Sequence, residues 1–437
     1  MICTRIAKLA LSRSTRRSFR SPVDRTPGIL VAGSRQLVKI RADVRLRDSL
    51  DDAIKVFKQH QIELYSVVSK TPAGIEAYEF EISFDASKNG ILWILEENFR
   101  LLDIHFGVEA PLDVPWFPLI QSDLDLIGNK KDMTMLEMTV DHPGYKDKAY
   151  KSRRDLIANQ TLGYKMTDPI PDVPYAPDET ALWNRIYPEL RRLHKHFAPQ
   201  EYKEQIEKME NLGLLKESEI PQLEKLNQYL KATTNWRLKP VAGHLKARDF
   251  LNTLAFRTFC SSQYIRHPTV PDYTPEPDII HEVIGHAVSF AIPRYCELSQ
   301  ALGILSLGAT DYQIQLLGAV YGYLLEFGLC NEGNDIKFFG AGQAGSTREI
   351  IHANQVALCH PDKIIKLDLK NNLPTKEFKM QDVQDSYYIG SSFEDCLNQL
   401  EYFCQSMNKS LNLKYDAKKN SIEPDRAILM KPFNSGV

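Results

Sequence analysis

The stretch His281-Glu282-Val283-Ile284-Gly285-His286 places two histidines five residues apart on one predicted helix. Pro275 and Pro277 end any preceding helix, and Asp278 is a good N-cap for a new one. Neutral imidazole is the commonest side-chain ligand of transition metals, so two on one helix indicate a metal site, although an ordinary structural pair is the alternative. In an ideal α-helix the fifth residue lies about 140° further around the axis, so the two rings would have to lean together.

A single carboxylate occurs downstream in the almost wholly apolar segment 318–328. The apolar residues around Glu326 predict that this segment is buried, and a buried carboxylate needs a proton, a partner or a metal. Two histidines and one carboxylate are the ligand set of non-haem Fe(II) oxygenases, which leaves positions open for dioxygen. His281, His286 and Glu326 are therefore the predicted metal ligands.

Further motifs surround these three residues between about residues 110 and 415. In chain order they are Val114-Pro115-Trp116-Phe117-Pro118, Asp141-His142-Pro143-Gly144, Pro221-Gln222-Leu223-Glu224, Pro240-Val241-Ala242-Gly243, Tyr264-Ile265-Arg266-His267, Thr274-Pro275-Glu276-Pro277-Asp278, Glu326-Phe327-Gly328-Leu329-Cys330 and Gly340-Ala341-Gly342. Together they resemble the pterin-dependent aromatic amino acid hydroxylases, the family of phenylalanine, tyrosine and tryptophan hydroxylases.

The resemblance implies a mainly α-helical catalytic domain preceded by a small α+β regulatory domain of the ACT-like βαββαβ kind. On this basis residues 1–41 are a basic disordered tail or transit peptide, 42–109 the regulatory domain, 110–408 the catalytic iron and pterin domain, and 409–437 a short C-terminal ribbon and tail. The local pattern agrees, since residues 50–57 are amphipathic and residues 62–68 and 77–84 alternate as strands. Residues 91–95 begin a second predicted helix.

Composition and charge exclude several classes of protein. The net charge is −2, from 54 basic and 56 acidic residues, so there is no electrostatic basis for binding nucleic acid. No apolar run reaches the roughly 18 residues of a membrane span. The 7 cysteines are scattered and odd in number, which suits reduced thiols and a cytoplasmic location. The arginine-rich, serine-rich N-terminus keeps a mitochondrial location open as the alternative.

The resemblance also assigns residues to the substrate and the cofactor. Arg266 would hold the substrate carboxylate in a charge-assisted fork, helped by Thr274 and Asp278, and Pro277 would line the pocket for the aromatic ring. The tetrahydrobiopterin would lie against Phe250 and the loop Gly243-His244-Leu245. Glu282 and Tyr321 would lie beside both pterin and iron as catalytic residues.

Four positions depart from the family pattern. Gly345 stands where the family usually has a serine that supports an iron ligand and the substrate, and Gly322 replaces a bulky aromatic residue of the substrate pocket. Cys260 replaces a histidine near the pterin, and Ala247 a serine of the pterin loop. We therefore expect a substrate pocket that is wider than usual.

The implied reaction is hydroxylation of an aromatic amino acid by Fe(II), tetrahydrobiopterin and O2. Met380 occupies the position that is acidic in tyrosine hydroxylases, so a substrate phenol would lack a partner; phenylalanine is favoured, with tryptophan as the alternative. A catalytically weak relative acting as a sensor or binding module is the rival motivated by Gly345. A zinc hydrolase is disfavoured, because its histidines are four residues apart. There is no βαβ alternation or Gly-rich dinucleotide fingerprint, and no Gly-x-Ser-x-Gly elbow.

The C-terminal sequence predicts a monomer or homodimer. Family members that tetramerise end in a long heptad helix after a β-ribbon. Residues 411–415 and 421–423 would form the ribbon, but Pro424, Pro432 and Gly436 interrupt the rest of the C-terminal segment. A coiled coil needs three or four apolar heptads, and residues 427–430 supply only one short cluster.

Overall fold

The computed structural model describes residues 29–31, 35–43, 49–62, 64–70, 77–85, 95, 98, 105–108, 112–128, 138, 140–374, 378–379, 382–407, 409, 411–426, 428–431 and 433. The chain divides into two compact units. The first unit contains Met1–Trp116, Ser410–Lys414 and Ile422–Phe433, and the second contains Phe117–Lys409, Tyr415–Ser421 and Asn434–Val437.

The strands and helices follow each other along both units. The strands are β1 (Ile29–Val31), β2 (Arg35–Asp43), β3 (Leu64–Lys70), β4 (Ala77–Asp85), β5 (His105–Val108), β6 (Leu112–Val114), β7 (Arg237–Pro240), β8 (Thr258–Ser261), β9 (Leu329–Glu332), β10 (Asp335–Phe338), β11 (Ile364–Lys366), β12 (Tyr387–Gly390), β13 (Leu413–Asp416), β14 (Ser421–Pro424) and β15 (Ile428–Met430). The α-helices are α1 (Ser49–Gln59), α2 (Lys148–Thr161), α3 (Pro177–Phe197), α4 (Gln200–Asn211), α5 (Leu223–Thr234), α6 (Ala247–Leu254), α7 (Pro293–Ser306), α8 (Asp311–Val320), α9 (Ala341–Ala344), α10 (Thr347–Cys359) and α11 (Phe393–Ser406). Two segments are π-helical, π1 (His281–Ala287) and π2 (Tyr321–Glu326), and Gln121–Leu126 and Pro361–Lys363 are 3-10 turns.

In the first unit, four strands form an antiparallel sheet in the order β3-β4-β2-β5. The predicted helix at 50–57 and the predicted strands at 62–68 and 77–84 fall on α1, β3 and β4. The boundary expected after residue 41 falls inside β2, whose nine residues all pair with β4. The second predicted helix lies mostly outside the described residues, as do residues 1–28 of the basic tail.

A second sheet of the first unit joins residues that are far apart in the sequence. Its strand order is β1-β15-β6, with β15 antiparallel to β1 and parallel to β6. Ile428 and Met430 of β15 are buried. Residues 428–430, expected to belong to a C-terminal tail, therefore form the central strand of a sheet. The expected ribbon is present as β13 and β14.

The second unit is helix-rich, as expected. Its longest helix, α3, begins where the Glu179 side chain accepts a hydrogen bond from the backbone N–H of Ala176, which satisfies one of the free N–H groups at a helix start. The same helix buries Trp183 and Leu190 in the core. Within the described part of the chain, no helix combines the length and apolar character that crossing a membrane requires.

The strands β7, β8 and β9 lie next to the chain segments that carry the predicted site residues. β7 and β8 are parallel, with α6 between them, so one short βαβ connection exists that the sequence pattern does not show. The carboxyl ends of parallel strands meet at the same edge of a sheet, so residues 243–245 after β7 and residues 262–266 after β8 emerge together. β9 comes shortly after π2 and belongs to the sheet β10-β9-β12-β11.

Candidate metal centre and active site

His281 and His286 lie on π1, not on the ideal α-helix predicted from the sequence. Hydrogen bonds in a π-helix join residues five apart, so the fifth residue returns to the same side of the helix. As a result, the two Nε2 atoms lie 2.9 Å from each other and the rings need not lean. Asp278 caps the helical segment that begins at Ile279 and continues into π1, because its Oδ1 accepts a hydrogen bond from the backbone N–H of His281 at 3.1 Å.

Glu326 closes the predicted triad from π2. Its Oε1 lies 3.1 Å from His286 Nε2, and its Oε2 lies 3.6 Å from His281 Nε2. All three ligand atoms lie within 4.8 Å of one another, the one such group of three or more His, Cys, Asp or Glu side chains among the described residues. The structure therefore brings together the three side chains that the sequence selected.

The protonation of these groups favours a cation between them. Burial lowers the pKa of His281 to about 4, so its imidazole is neutral at pH 7 and offers a lone pair. Burial alone would raise the pKa of Glu326, but the two nearby imidazoles, His286 first, lower it overall. Among the residues that the structure describes, the buried atoms Glu326 Oε2 and His286 Nδ1 have no hydrogen-bond partner. Two neutral nitrogens and one carboxylate around a common point are donors that fit Fe(II).

A cavity of about 520 Å³ opens beside the triad. It is lined by the three ligands and by most of the predicted site residues, namely Gly243, His244, Leu245, Phe250, Arg266, Thr274, Pro277, Glu282, Tyr321 and Gly345. Asp278 and Gly322, also predicted for the substrate site, are not among the lining residues. Met380 lies outside the described residues.

Arg266 is fixed in direction before any ligand arrives. Its Nε and Nη2 donate to Oδ2 and Oδ1 of Asp278 at 2.9 and 2.7 Å, and its Nη2 also donates to the Gly345 carbonyl at 3.0 Å. Arg266 is 2% exposed and Asp278 0%, so the pair is desolvated. Asp278 therefore orients Arg266 and caps π1, which joins the cavity's guanidinium to the metal helix.

The side of the cavity assigned to the pterin is aromatic and partly acidic. The rings of Phe250 and Tyr321 meet edge to face with centroids 5.0 Å apart, and the buried Tyr321 hydroxyl has no partner at hydrogen-bond distance in the described part of the chain. Glu282 Oε1 accepts hydrogen bonds from the backbone N–H and the hydroxyl of Ser262, at 2.8 and 3.0 Å. Burial nevertheless raises the pKa of Glu282 well above its usual value, because the carboxylate loses its hydration. A flat polar ring fits between these groups.

Comparison with known proteins decides the family. Residues 115–428 match the family described as biopterin-dependent aromatic amino acid hydroxylase, which is well over half of the chain. The chain belongs to this family. Its members are monooxygenases, and the biopterin cofactor and iron centre expected from the sequence follow from that membership.

Several relatives align with the hydroxylase over most of its length. Phenylalanine-4-hydroxylase of Mus musculus is 35% identical over 383 residues, 86% of this chain and 83% of the relative. Phenylalanine-4-hydroxylase of Dictyostelium discoideum is 40% identical over 379 residues, 85% and 84% of the two chains. Tyrosine 3-monooxygenase of Mus musculus is 34% identical over 374 residues, 84% and 74%. Among solved structures, phenylalanine hydroxylase from Legionella pneumophila aligns with a TM-score of 0.47 and 27% identity, over 54% of this chain and 88% of that chain.

Gly345 of the hydroxylase leaves no room for the side chain that the family usually carries there. A Cβ atom built on Gly345 would lie 2.8 Å from the Cα of His281 and 3.4 Å from its backbone N. Real Cβ atoms essentially never approach a backbone atom as closely as 2.8 Å. The missing serine is therefore replaced by direct backbone contact between residue 345 and the metal helix.

Gly322 does not widen the pocket of the hydroxylase as expected. The ring of Phe378 lies on its Cα, so a Cβ atom there would stand 2.1 and 2.3 Å from two ring carbons. Phe378 itself lines the cavity. Sequence reasoning missed this residue, and the available signal was a lone aromatic in the polar run Lys376-Glu377-Phe378-Lys379, two positions before Met380.

The two departures on the pterin side are small. Cys260 lines the cavity, and burial raises the pKa of its thiol to about 11, so it stays protonated at pH 7. Its Sγ lies 3.8 Å from the Thr253 hydroxyl. Ala247 also lines the cavity, where a methyl group takes the place of the family's hydroxyl.

Proposed function

We propose that this hydroxylase adds oxygen to the ring of a free aromatic amino acid, phenylalanine in preference to tryptophan and tyrosine. The observation that carries the proposal is the triad of His281, His286 and Glu326 beside a cavity that is also lined by Arg266. The triad offers the donors for Fe(II), and the guanidinium offers a site for a carboxylate. Because the metal site and the carboxylate site share one cavity, the ring of a bound amino acid would lie close to the metal, where oxygen is activated.

Each part of the site then has a role in the reaction. His281, His286 and Glu326 would hold Fe(II) and leave open positions. The iron and the tetrahydrobiopterin, when bound, supply the activation of O2. The protein contributes orientation and the exclusion of water: Arg266, helped by Thr274, holds the substrate carboxylate, and Pro277 lines the pocket for the ring.

The opposite wall would receive the pterin. Phe250 offers an aromatic face, and the loop 243–245 offers backbone groups close to it. Tyr321 and Glu282 both line the cavity, so their side chains would lie beside a bound pterin and the iron. The carboxyl of Glu282 lies on this side of the cavity and could form a hydrogen bond with the polar edge of the pterin ring.

The preference for phenylalanine rests on the apolar residue that the sequence has at position 380. Met380 replaces the acidic residue that tyrosine hydroxylases have, and an unpartnered buried phenol costs about 1–3 kcal/mol. Two of the relatives described above are phenylalanine-4-hydroxylases and one is a tyrosine 3-monooxygenase. Similarity therefore leaves the substrate open, and the chemistry of the pocket favours phenylalanine.

Turnover with defined substrates tests the proposal. The purified protein would be supplied with Fe(II), tetrahydrobiopterin and O2, and with phenylalanine, tyrosine or tryptophan in separate reactions. We expect hydroxylated product in a one-to-one ratio with oxidised pterin, and the highest kcat/KM for phenylalanine. A higher kcat/KM for tyrosine contradicts the preference, and pterin oxidation without any product supports a sensor or binding role instead.

We further propose that the first unit contains an ACT-like regulatory domain. Its four strands, taken in chain order as one to four, lie in the order two-three-one-four, with α1 between the first and second. This order is the one that a βαββαβ chain gives when it folds as a split βαβ pair. Calorimetry on the full chain tests this proposal, because it would detect an amino acid site additional to the active site.

Assembly as a monomer or homodimer is also proposed. After α11, the described residues form the ribbon β13–β14 and the strand β15, and no heptad helix occurs among them. Light scattering at micromolar concentration would decide, since a stable mass near four times 50.0 kDa contradicts the proposal. The six described cysteines are all free, which supports a reducing, cytoplasmic compartment.

A further inference from the structure

We propose that Phe378 sets the width of the subsite that receives the substrate ring, by occupying the space above Gly322. The proposal rests on the proposed function, since it assumes that an aromatic side chain enters this cavity. It concerns a residue that the resemblance does not assign, and it replaces the expectation that Gly322 opens room for an indole. Three features of the structure support it, namely the position of the ring, the steric need for the glycine and the support of the loop.

The ring of Phe378 forms part of the cavity wall close to the metal. Phe378 lines the cavity together with Phe327, and the centroids of their rings are 5.9 Å apart. Phe327 is the residue directly after Glu326 in the chain. Tyr323 completes the cluster, with its ring centroid 6.4 Å from that of Phe378 in an edge contact. Phe378 thus packs against the residue that directly follows the metal ligand Glu326.

Gly322 is required by Phe378 and not by its own backbone. Its φ lies outside the positive, left-handed region, so any L-residue has the backbone conformation available. A Cβ atom there would nevertheless lie 2.1, 2.3 and 2.7 Å from three carbons of the Phe378 ring. A side chain at residue 322 and the observed ring at residue 378 therefore exclude each other. The family's aromatic residue at position 322 is absent here, and the ring of Phe378, from a different segment, occupies that space instead.

The backbone beside Phe378 is held by a buried amide. Gln384, 1% exposed, accepts a hydrogen bond from the backbone N–H of Lys379 at 3.0 Å and donates one to the carbonyl of the same residue at 2.6 Å. The backbone N–H of Gln384 donates to Glu349 Oε1 at 3.3 Å, which ties this clamp to α10. Gln384 is therefore a positioning residue, because it fixes the peptide that comes after Phe378.

A purely structural ring would behave differently from a wall of the subsite. Loss of a structural ring lowers stability and affects all substrates alike. Loss of a wall changes the discrimination between rings of different size, because the larger ring gains contacts where the smaller one loses them. The ratio of tryptophan to phenylalanine in kcat/KM, and the same ratio in binding constants, separates the two roles.

The experiment uses the full-length, iron-loaded enzyme and the variants Phe378→Ala, Gly322→Trp and Phe378→Ala/Gly322→Trp. We expect Phe378→Ala to raise the tryptophan-to-phenylalanine ratio of kcat/KM about tenfold or more. Gly322→Trp alone should lower the Tm, because its side chain meets the ring, and the double variant should recover both the Tm and the original preference. Gln384→Ala should shift the ratio in the same direction as Phe378→Ala.

Tyr312→Ala, at an aromatic residue that is 73% exposed, is the matched control and should leave the ratio unchanged. A ratio that stays within about twofold of wild type in Phe378→Ala overturns the proposal. If no amino acid is hydroxylated at all, the proposed function fails, but the Kd values of the same two amino acids, measured by calorimetry, still test the inference. Absence of binding by either amino acid overturns both.

Discussion

The Cα of Gly285 lies against the backbone carbonyl of Ala341, so closely that a Cβ atom on Gly285 would stand 2.4 Å from that oxygen. Gly285 lies between the two histidines of π1, and Ala341 is the first residue of α9. The two segments therefore meet backbone to backbone next to the metal ligands. Any side chain at residue 285 would push them apart.

Gly285→Ala should consequently damage the metal centre. Overpacking of a buried contact costs about 1–3 kcal/mol, and here the strain falls on the helix that carries both imidazoles. We expect a lower Tm and a weaker affinity for Fe(II), measured by thermal unfolding and metal titration. Gly318→Ala is the control, because the nearest atom to its added Cβ is 3.9 Å away, and it should leave the Tm equal or higher. Equal Tm values for wild type and Gly285→Ala would contradict the steric interpretation.

Alanine at any one of the three ligands should remove the iron while leaving most of the fold. His281, His286 and Glu326 each supply one donor to a site that already has open positions. Metal content after dialysis should fall to a small fraction of wild type, and hydroxylation should fall below detection. His196→Ala, at an exposed histidine, is the control and should retain both. Full iron occupancy in any of the three variants would refute the triad.

Restoring the family's serine at residue 345 should not improve the enzyme. Its Cβ would lie 2.8 Å from the Cα of His281, so the metal helix would have to move. We expect Gly345→Ser and Gly345→Ala to lower kcat/KM by a similar factor, about tenfold, since both add the same atom and about 1 kcal/mol of misplacement is already severalfold in rate. An increase with serine but not with alanine would show that the hydroxyl, and not the space, is what this enzyme lacks.

Glu349 should make the stability fall as the pH rises across neutrality. Burial raises the pKa of this carboxyl from 4.5 to about 7; Asp382 also raises it, while Tyr387, Gln384 and Arg348 lower it. Because the folded state binds the proton more tightly, this stabilisation is full below pH 4.5 and is lost as the pH passes 7.

Glu349→Gln does not titrate, so its free energy of unfolding relative to wild type should increase between about pH 5 and 8, by about 1–3 kcal/mol. Denaturant unfolding at both pH values measures the change. The exposed Glu217→Gln should show no such trend. A relative stability of Glu349→Gln that falls with pH would mean that the native carboxyl is ionised at neutral pH.

The metal centre was predictable from the sequence because its chemistry is local and unusual. Two histidines in a short segment and one carboxylate in an apolar helix seldom occur together unless they bind a metal. The geometry that joins His281 to His286 was not predictable, because an i→i+5 turn and an α-turn share the same sequence pattern. Packing of π1 against α9 accompanies that geometry, through contacts made with residues more than fifty positions away.

The pocket wall and the C-terminal strand show a second limit of prediction from the sequence. Gly322 alone predicts empty space, and only the folded chain shows that Phe378 fills it. In the same way, the short apolar run at 428–430 gives no sign of its two partner strands near residues 30 and 113. In both cases the residue's surroundings are set by a distant segment that covers it. The helix α1 was predicted correctly because amphipathic spacing needs no such partner.

The place of β15 between β1 and β6 also bears on how the protein is made. Neither outer strand pairs with the other, so this sheet cannot begin to assemble until residues 428–430 have been synthesised. More than 300 residues separate β6 from β15, and at about 5–20 residues per second a ribosome needs roughly 15–60 s to translate them. During that interval the backbone groups of β1 and β6 that pair with β15 in the folded protein lack that partner. The sheet therefore closes only after the whole segment between β6 and β15 has been synthesised, and chaperones have that interval in which to shield the two strands.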